Sequence, residues 1–472
     1  MRTRSLLMLL VCAAGALRFS TLGVQSFWSD EGFTVSIVGH AFTGVLGAVR
    51  HTESTPPLYY WIAWCWRELF GSGEWGLRSL SALLGTLTVP VTYAAARELF
   101  SRRVGLIAAA LVTFSPVLIW YSQEARAYSL LLLLGVLSVW LFARALHGDR
   151  RAPWGWAVTA ALALATHYFA VFTVLPEAVW LIARRPRQWR NWAAAAPAVA
   201  VALALLPLFL YQDRHVPRPW TVGYTITDSI TGVAQAALVG PTWTPIIHRA
   251  GVAVMAILAL AGLILLARDR PARVGALLTL LLAGVLVAAP LAYAVLATNY
   301  LDIRNVIVAV PLALMAVAAG FSAAAPPLAN ALMAAVCAVG LAIALAVPLT
   351  PALQREDWRG AIARLSAPAL PRVWVFLDRF DSTPVSAVYL PHAANLGATA
   401  TPVREVDILG RVGYPGTSTG TPIPDFRLIE RRVLAGKLAI ERFRASHAIP
   451  VTDAQFGQFN ARVVTTAAGY VG

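Results

Sequence analysis

Apolar residues fill most of the chain in long blocks parted by short polar stretches, and blocks of roughly 17 to 25 such residues are long enough to cross a bilayer. That length rule predicts about eleven spans, at 6–23, 77–96, 104–120, 128–146, 154–167, 169–183, 192–211, 250–267, 274–297, 306–321 and 328–347. The fifth and sixth are short and share a turn at His167-Tyr168, which predicts a tilted pair or a hairpin. Two further segments fit neither loop nor span. Residues 32–49 space Phe33, Ile37, Phe42, Val45, Leu46 and Val49 among polar neighbours, the pattern of a helix lying in the membrane interface. Residues 56–69 are too short to span and carry Trp61, Trp64 and Trp66, side chains that seek the same interface.

Beyond Leu353 the apolar density falls and Pro and Gly recur. A helix is predicted over 357–365, and Val373 to Leu377 is the most strand-like run, so a small mixed α/β domain is expected. The expected organisation is a membrane domain over 1–350 and an α/β domain over 351–472. The run 415–422, rich in Gly and Thr, reads as a loop, because its glycines lack the strand-to-helix setting of a phosphate cradle.

Composition agrees with the pattern. With 58% of residues hydrophobic and only 13% charged, the chain has too little polar surface for a soluble globule and reads as an integral membrane protein. Its net charge of +15 is carried by short arginine clusters between apolar blocks, which argues for topology and against nucleic acid. Lys437 is the only lysine, so the choice of arginine at any one site carries no functional weight. Cys12, Cys65 and Cys337 lack the paired spacing of a metal site or disulfide framework and read as packing residues.

Basic residues mark cytoplasmic loops. Arg2 and Arg4, then Arg97, Arg102 and Arg103, then Arg144, Arg150 and Arg151, then Arg184 to Arg190, then Arg268, Arg270 and Arg273 fall on one side of the predicted spans. That alternation puts the N-terminus in the cytoplasm. The loops at Asp30-Glu31, Ser122 to Arg126, His167-Tyr168, 212–249 and Thr298 to Arg304, together with the tail, then face outward. The start of the chain also resembles a secretory signal, with Ala14-Gly15-Ala16 as a small-residue site. A start-anchored span fits better, since the apolar stretch continues toward Val24.

Candidate chemistry collects in these outward loops. Acidic groups at an apolar boundary are costly unless solvated, paired or useful. Asp30 is a candidate general base for an acceptor hydroxyl, with Glu31 positioning it or holding a cation. The alternative is that both carboxylates mark a helix N-terminus, where the dipole favours them. Arg126 and Arg304 end their spans on the outer side, as a phosphate clamp or as snorkelling cations. Glu124 and Tyr121 accompany Arg126 as positioning candidates. His167 and Tyr168 either hydrogen-bond a sugar or phosphate, or anchor the interface. His40, His51, Glu53 and Asp30 match no strong metal-ligand spacing; no metal site is expected from them, and dependence on a divalent cation is left open.

The order of motifs is more specific than any one of them. Leu17-Arg18, then Ser26-Phe27-Trp28-Ser29-Asp30-Glu31, then Thr55-Pro56-Pro57-Leu58-Tyr59-Tyr60-Trp61, then Ser115 to Tyr128 resemble the membrane-embedded GT-C glycosyltransferases of the protein-mannosyltransferase and aminoarabinose-transferase superfamily. The likeness spans roughly residues 6–325. It implies a GT-C fold and inverting transfer of a sugar from a polyprenyl-phosphate donor in the membrane to an acceptor hydroxyl outside the cytoplasm. It also implies that Asp30 is the catalytic aspartate, with Glu31 beside it, and that Glu124 and Arg126 belong to the second outward loop. Arg304, ahead of Pro311, is the late arginine. Relatives often carry His or Lys directly before the Pro-Pro pair, where this chain has Thr55. A donor-phosphate contact is then either missing or supplied by His51. The tail resembles the soluble ends of bacterial relatives, starting with Asp357-Trp358-Arg359-Gly360.

A transporter or lipid flippase would also have about eleven spans, with charges buried near mid-membrane or paired broken helices. A structural membrane protein would offer small-residue faces, such as the Ala/Gly-rich later spans, and would need no outward Asp-Glu pair.

Overall fold

The computed structural model describes residues 3–184, 186–216, 223–241, 245–365, 370–412, 423–435 and 437–465. The run 415–422 lies outside them. The chain forms two compact units, Met1–Leu22 with His40–Leu349, and Gly23–Gly39 with Thr350–Gly472.

Its helices begin with α1 (Thr3–Phe19), α2 (Ser29–Gly39), α3 (Val45–Thr52), α4 (Leu58–Phe70) and α5 (Glu74–Leu99). There follow α6 (Arg102–Phe114), α7 (Pro116–Ser122), α8 (Tyr128–Leu146), α9 (Ala152–Thr166), α10 (Val171–Arg184) and α11 (Trp189–His215). The last of the first unit are α12 (Ile226–Val239), α13 (Pro245–Arg268), α14 (Arg273–Leu296), α15 (Ala309–Ala323) and α16 (Pro326–Leu349). Each predicted window overlaps helical residues, that at 104–120 two separate helices. Among the described residues, 6 helices are long and apolar enough to span, or up to 7 if the bent pair α6 and α7 counts as one.

That bent pair departs from the expected straight span at 104–120. Pro116 has no N–H and disfavours helical torsions at the residue before it. Ser115 accordingly sits at φ −67° and ψ 117°, and the axis turns by 60°. The stretch 212–249, expected as an outward loop, contains α12, whose Thr225 and Asp228 form a reciprocal capping box. The interfacial helix expected over 32–49 is also divided. Ala41 is extended at φ −61° and ψ 152°, so α2 stops at Gly39 and α3 starts afresh at Val45.

In the first unit α5 packs on α6 and α8, α9 on α8 and α11, and α15 on α6, α13 and α14. Small residues let backbones close up where no water drives association. At the α13–α15 crossing, a Cβ placed on Gly320 would lie 1.8 Å from the Gly262 carbonyl oxygen.

The second unit is built on a 6-stranded sheet of β1 (Arg372–Leu377), β2 (Ala394–Asn395), β3 (Thr401–Arg411), β4 (Arg427–Leu434), β5 (Leu438–Val451) and β6 (Ala461–Thr465). The order is β2-β6-β1-β3-β5-β4. β1 and β3 are parallel, joined through helix α18 (Arg379–Tyr389), which follows α17 (Trp358–Leu365). One core of Val373, Val375, Val406, Ile408, Phe443 and Phe456 is buried. Charges inside the sheet are paired, as burial requires: Arg372 with Glu405 and Asp407, Arg442 with Asp407, and Arg444 with Glu405. Helix α2 belongs here. Its Phe33 ring lies 4.9 Å from that of Phe380, and a Cβ on Gly32 would meet the Val385 nitrogen at 2.6 Å.

Candidate active site

In the first unit the site is set up by the helix break. Pro116 leaves carbonyl groups near the end of α6 without an in-helix donor. Arg18, fully buried in α1, supplies donors: Nη2 to the Val112 carbonyl at 3.2 Å and Nη1 to that of Thr113 at 3.3 Å. Its Nε reaches the Ser122 hydroxyl at the far end of α7, also at 3.2 Å. Gln123 donates back to the Leu17 carbonyl at 3.0 Å and the Thr21 hydroxyl at 2.7 Å. The end of α1 thereby clamps both ends of α7, and the turn that follows carries Glu124 and Arg126.

Arg126 is buried and its fork is engaged. Nη1 and Nη2 donate to the two carboxylate oxygens of Glu53 at 2.5 and 2.7 Å. Glu53 precedes Thr55-Pro56-Pro57, so the loop before α4 meets the loop after α7. The Tyr60 ring lies 6.0 Å from the guanidinium carbon, and its hydroxyl is 3.4 Å from that of Thr55. The Ser81 hydroxyl donates to the Arg126 carbonyl at 3.4 Å and lies 3.3 Å from the Tyr59 hydroxyl.

Arg304 also lies beside a carboxylate, that of Asp302, two residues before it. Its backbone N–H donates to Asp302 Oδ1 at 3.0 Å, and its Nε lies 3.5 Å from the same oxygen. Tyr121 lies within electrostatic range of Asp302, Glu124, Arg304 and Tyr128, and His167 feels both Arg126 and Arg304. The buried His167 ring accepts the Phe169 N–H on Nδ1 at 3.3 Å. In the neutral ring that leaves the proton on Nε2. The Tyr128 ring, edge-on to Tyr121 at 5.3 Å, lies 6.1 Å from His167. Three separate stretches of chain thus approach one another, His167 within reach of Arg126 and Arg304, and Tyr121 within reach of Glu124 and Arg304.

Two other expected residues do different work. The Tyr168 hydroxyl donates to Gln212 Oε1 at 2.7 Å, and Gln212 in turn donates to the carbonyls of Val49 and Thr55 at 3.1 and 3.2 Å. Tyr168 therefore ties down the Thr55 segment. His51 is exposed, with Nδ1 3.0 Å from the Tyr211 hydroxyl. Sequence reasoning missed Glu53 and Asp302 as the arginines' partners. It also missed Arg18, although a charge inside an apolar window is itself a signal.

Asp30 and Glu31 lie in the second unit, in the first turn of α2. Glu31 is buried and accepts the Trp28 N–H at 3.4 Å. Asp30 is half-buried. A helix N-terminus stabilises negative charge there, a placement compatible both with a base and with a purely structural pair. Among the described residues no group of three or more His, Cys, Asp or Glu side chains has metal-holding geometry.

Residues 54–211 match the family model described as dolichyl-phosphate-mannose-protein mannosyltransferase. An uncharacterized protein of Aquifex aeolicus (strain VF5) is 29% identical over 194 residues, 40% of this chain and 38% of that protein's length. The fold is similar to that of ArnT from Cupriavidus metallidurans in the apo state, at 16% identity and a TM-score of 0.57, covering 92% of this chain and 97% of that one. ArnT bound to undecaprenyl phosphate matches at 16% identity and 0.55, covering 94% and 99%. With several apolar helices long enough to span, a fold similar to that of ArnT along nearly the whole chain and a match to the mannosyltransferase family model over 54–211, the protein is a multi-pass membrane protein that resembles the GT-C glycosyltransferases.

Proposed function

We propose that the protein is an inverting glycosyltransferase that moves a sugar from a polyprenyl-phosphate donor to an acceptor hydroxyl on the extracytoplasmic side. The acceptor is a cell-envelope glycan, lipid or protein. The N-terminus is cytoplasmic, the chain crosses the membrane about eleven times by the length rule, and the soluble unit lies outside. The observation that carries this reading is that Arg126 and Arg304 both lie within electrostatic range of the buried His167, with each arginine beside a carboxylate, Glu53 or Asp302. Two fixed guanidinium groups suit a phosphate, and the similarity to an undecaprenyl-phosphate-bound ArnT supports such a donor.

Asp30 accepts the proton of the acceptor hydroxyl, and the freed oxygen attacks the anomeric carbon. The bond between that carbon and the donor phosphate oxygen breaks on the opposite face. The polyprenyl phosphate leaves with one more negative charge, which Arg126 and Arg304 stabilise. Glu31 holds the turn of Asp30 through the Trp28 N–H. Glu124, Tyr121, His167 and Tyr168 position donor and loops.

Purified protein in bilayers, given radiolabelled polyprenyl-phosphate sugars and a cell-envelope extract, tests the reading. Label should pass to acceptor with wild type and fall to a small residual rate with folded Asp30→Asn. Absence of donor consumption across the panel would reject it and favour transport.

A further inference from the structure

The structure assigns the C-terminal unit a part in the reaction: Glu356 and Arg411 are positioning residues that fix the turn carrying Asp30. The inference rests on the reading of Asp30 as the base.

Glu356 opens the Glu356-Asp357-Trp358-Arg359-Gly360 run, and its carboxylate sits at the centre of a closed set of bonds. Oε1 accepts Arg411 Nε at 2.7 Å. Oε2 accepts Trp358 Nε1 at 2.9 Å and the Ser29 hydroxyl at 3.4 Å. Arg411, at the end of β3, completes the triangle by donating Nη2 to the same Ser29 hydroxyl at 3.0 Å. Ser29 is the residue directly before Asp30 and begins α2.

The preceding residues are held by the same part of the chain. The Ser26 hydroxyl donates to the Glu356 carbonyl and accepts the Trp358 N–H, both at 3.0 Å. Gln25 Oε1 accepts the Arg355 N–H at 2.8 Å, and the Phe27 N–H donates to the Tyr389 hydroxyl at 2.6 Å. On the other side of Asp30, Gly32 and Phe33 are wedged against Val385 and Phe380. A general base must be held within a fraction of an ångström of its productive position, and a shift of about 1 Å costs roughly 100-fold in rate. Here that precision comes from residues more than 300 positions further along the chain.

The test uses full-length protein with Glu356→Gln and Arg411→Gln, each assayed for transfer, for donor binding without acceptor, and for melting. The expected result is kcat lower by roughly 10- to 100-fold at unchanged donor KM, donor binding and melting temperature. In addition, Glu356→Gln introduced into Asp30→Asn should cause little further loss, because Glu356 acts through Asp30. Unchanged kcat in both variants overturns the inference. So does a fall in kcat that merely follows a fall in melting temperature, or a full multiplicative loss on top of Asp30→Asn. If wild type transfers no label from any donor, it is the functional reading that fails; if wild type is active and the variants match it, only this inference does.

Discussion

Arg126 gives both terminal guanidinium nitrogens to one carboxylate, that of Glu53, at 2.5 and 2.7 Å, and both side chains are less than a tenth exposed. Burying two charges is costly, and the two-pronged geometry recovers much of that cost. The pair joins loops 73 residues apart, so it fixes Arg126 before any ligand arrives.

Removing the carboxylate leaves a buried cation without its counter-charge. Glu53→Ala should therefore destabilise the protein by about 3–5 kcal/mol, read as a fall in melting temperature in detergent. Arg126→Lys keeps the charge but loses the fork and should weaken donor binding more than stability. A Glu53→Ala protein that melts like wild type would sink the idea that this pair is structurally important.

Arg18 should prove as sensitive as any residue named in the site. Arg18→Met keeps an unbranched apolar stem but removes the donors and strands the Val112 and Thr113 carbonyls, at roughly 1–3 kcal/mol per buried unsatisfied group. We expect a lower melting temperature and a further loss of transfer, because the turn bearing Glu124 and Arg126 is released. Arg18→Lys should restore part of both, and equal behaviour of the Met and Lys variants would argue against the hydrogen bonds as the cause.

The sequence made the helices legible because a span is a local property: α8 runs over Tyr128–Leu146, the same residues as its apolar window. The break at Ser115 was also written locally, in Pro116, but hydropathy alone does not register it. Pairings between loops are different in kind. Nothing in the spacing of Glu53 or Asp302 says which arginine each will meet, and nothing near Ser29 points to Arg411, 382 residues away. The apolar positions of 32–49 have the pattern of one membrane-facing stripe, yet Phe33, Ile37 and Val38 belong to a helix of the second unit. A protein face and a lipid face ask for the same side chains.

The crossing of α13 and α15 tests the small-residue packing. Gly320→Ala would put a methyl group 1.8 Å from the Gly262 carbonyl oxygen, so the helices must separate. Overpacking of this kind costs about 1–3 kcal/mol. Thermal melting should show it, whereas alanine at Gly284, which has nothing within 4 Å of its added Cβ, should leave stability unchanged or slightly raised.

Acid should act on the second unit through Glu405. Burial alone pushes its carboxyl upward, but hydrogen bonds from Arg444 and Arg372, with the charges of both, outweigh it and hold the group below its ordinary range. A depressed carboxylate contributes stability that is fully present above the unfolded value of about 4.3 and is lost as pH falls through the lower folded value. Asp407 works against this, since burial holds it above its ordinary value despite Arg442 and Arg372, so acid relieves rather than removes its contribution. Glu405→Gln should thus lower the stability of the full-length protein at neutral pH and flatten its decline on acidification below about pH 5. The measurement is melting temperature against pH for both proteins, followed by a probe in the sheet; parallel curves would mean that the Arg372 and Arg444 pairing does not set the acid limb.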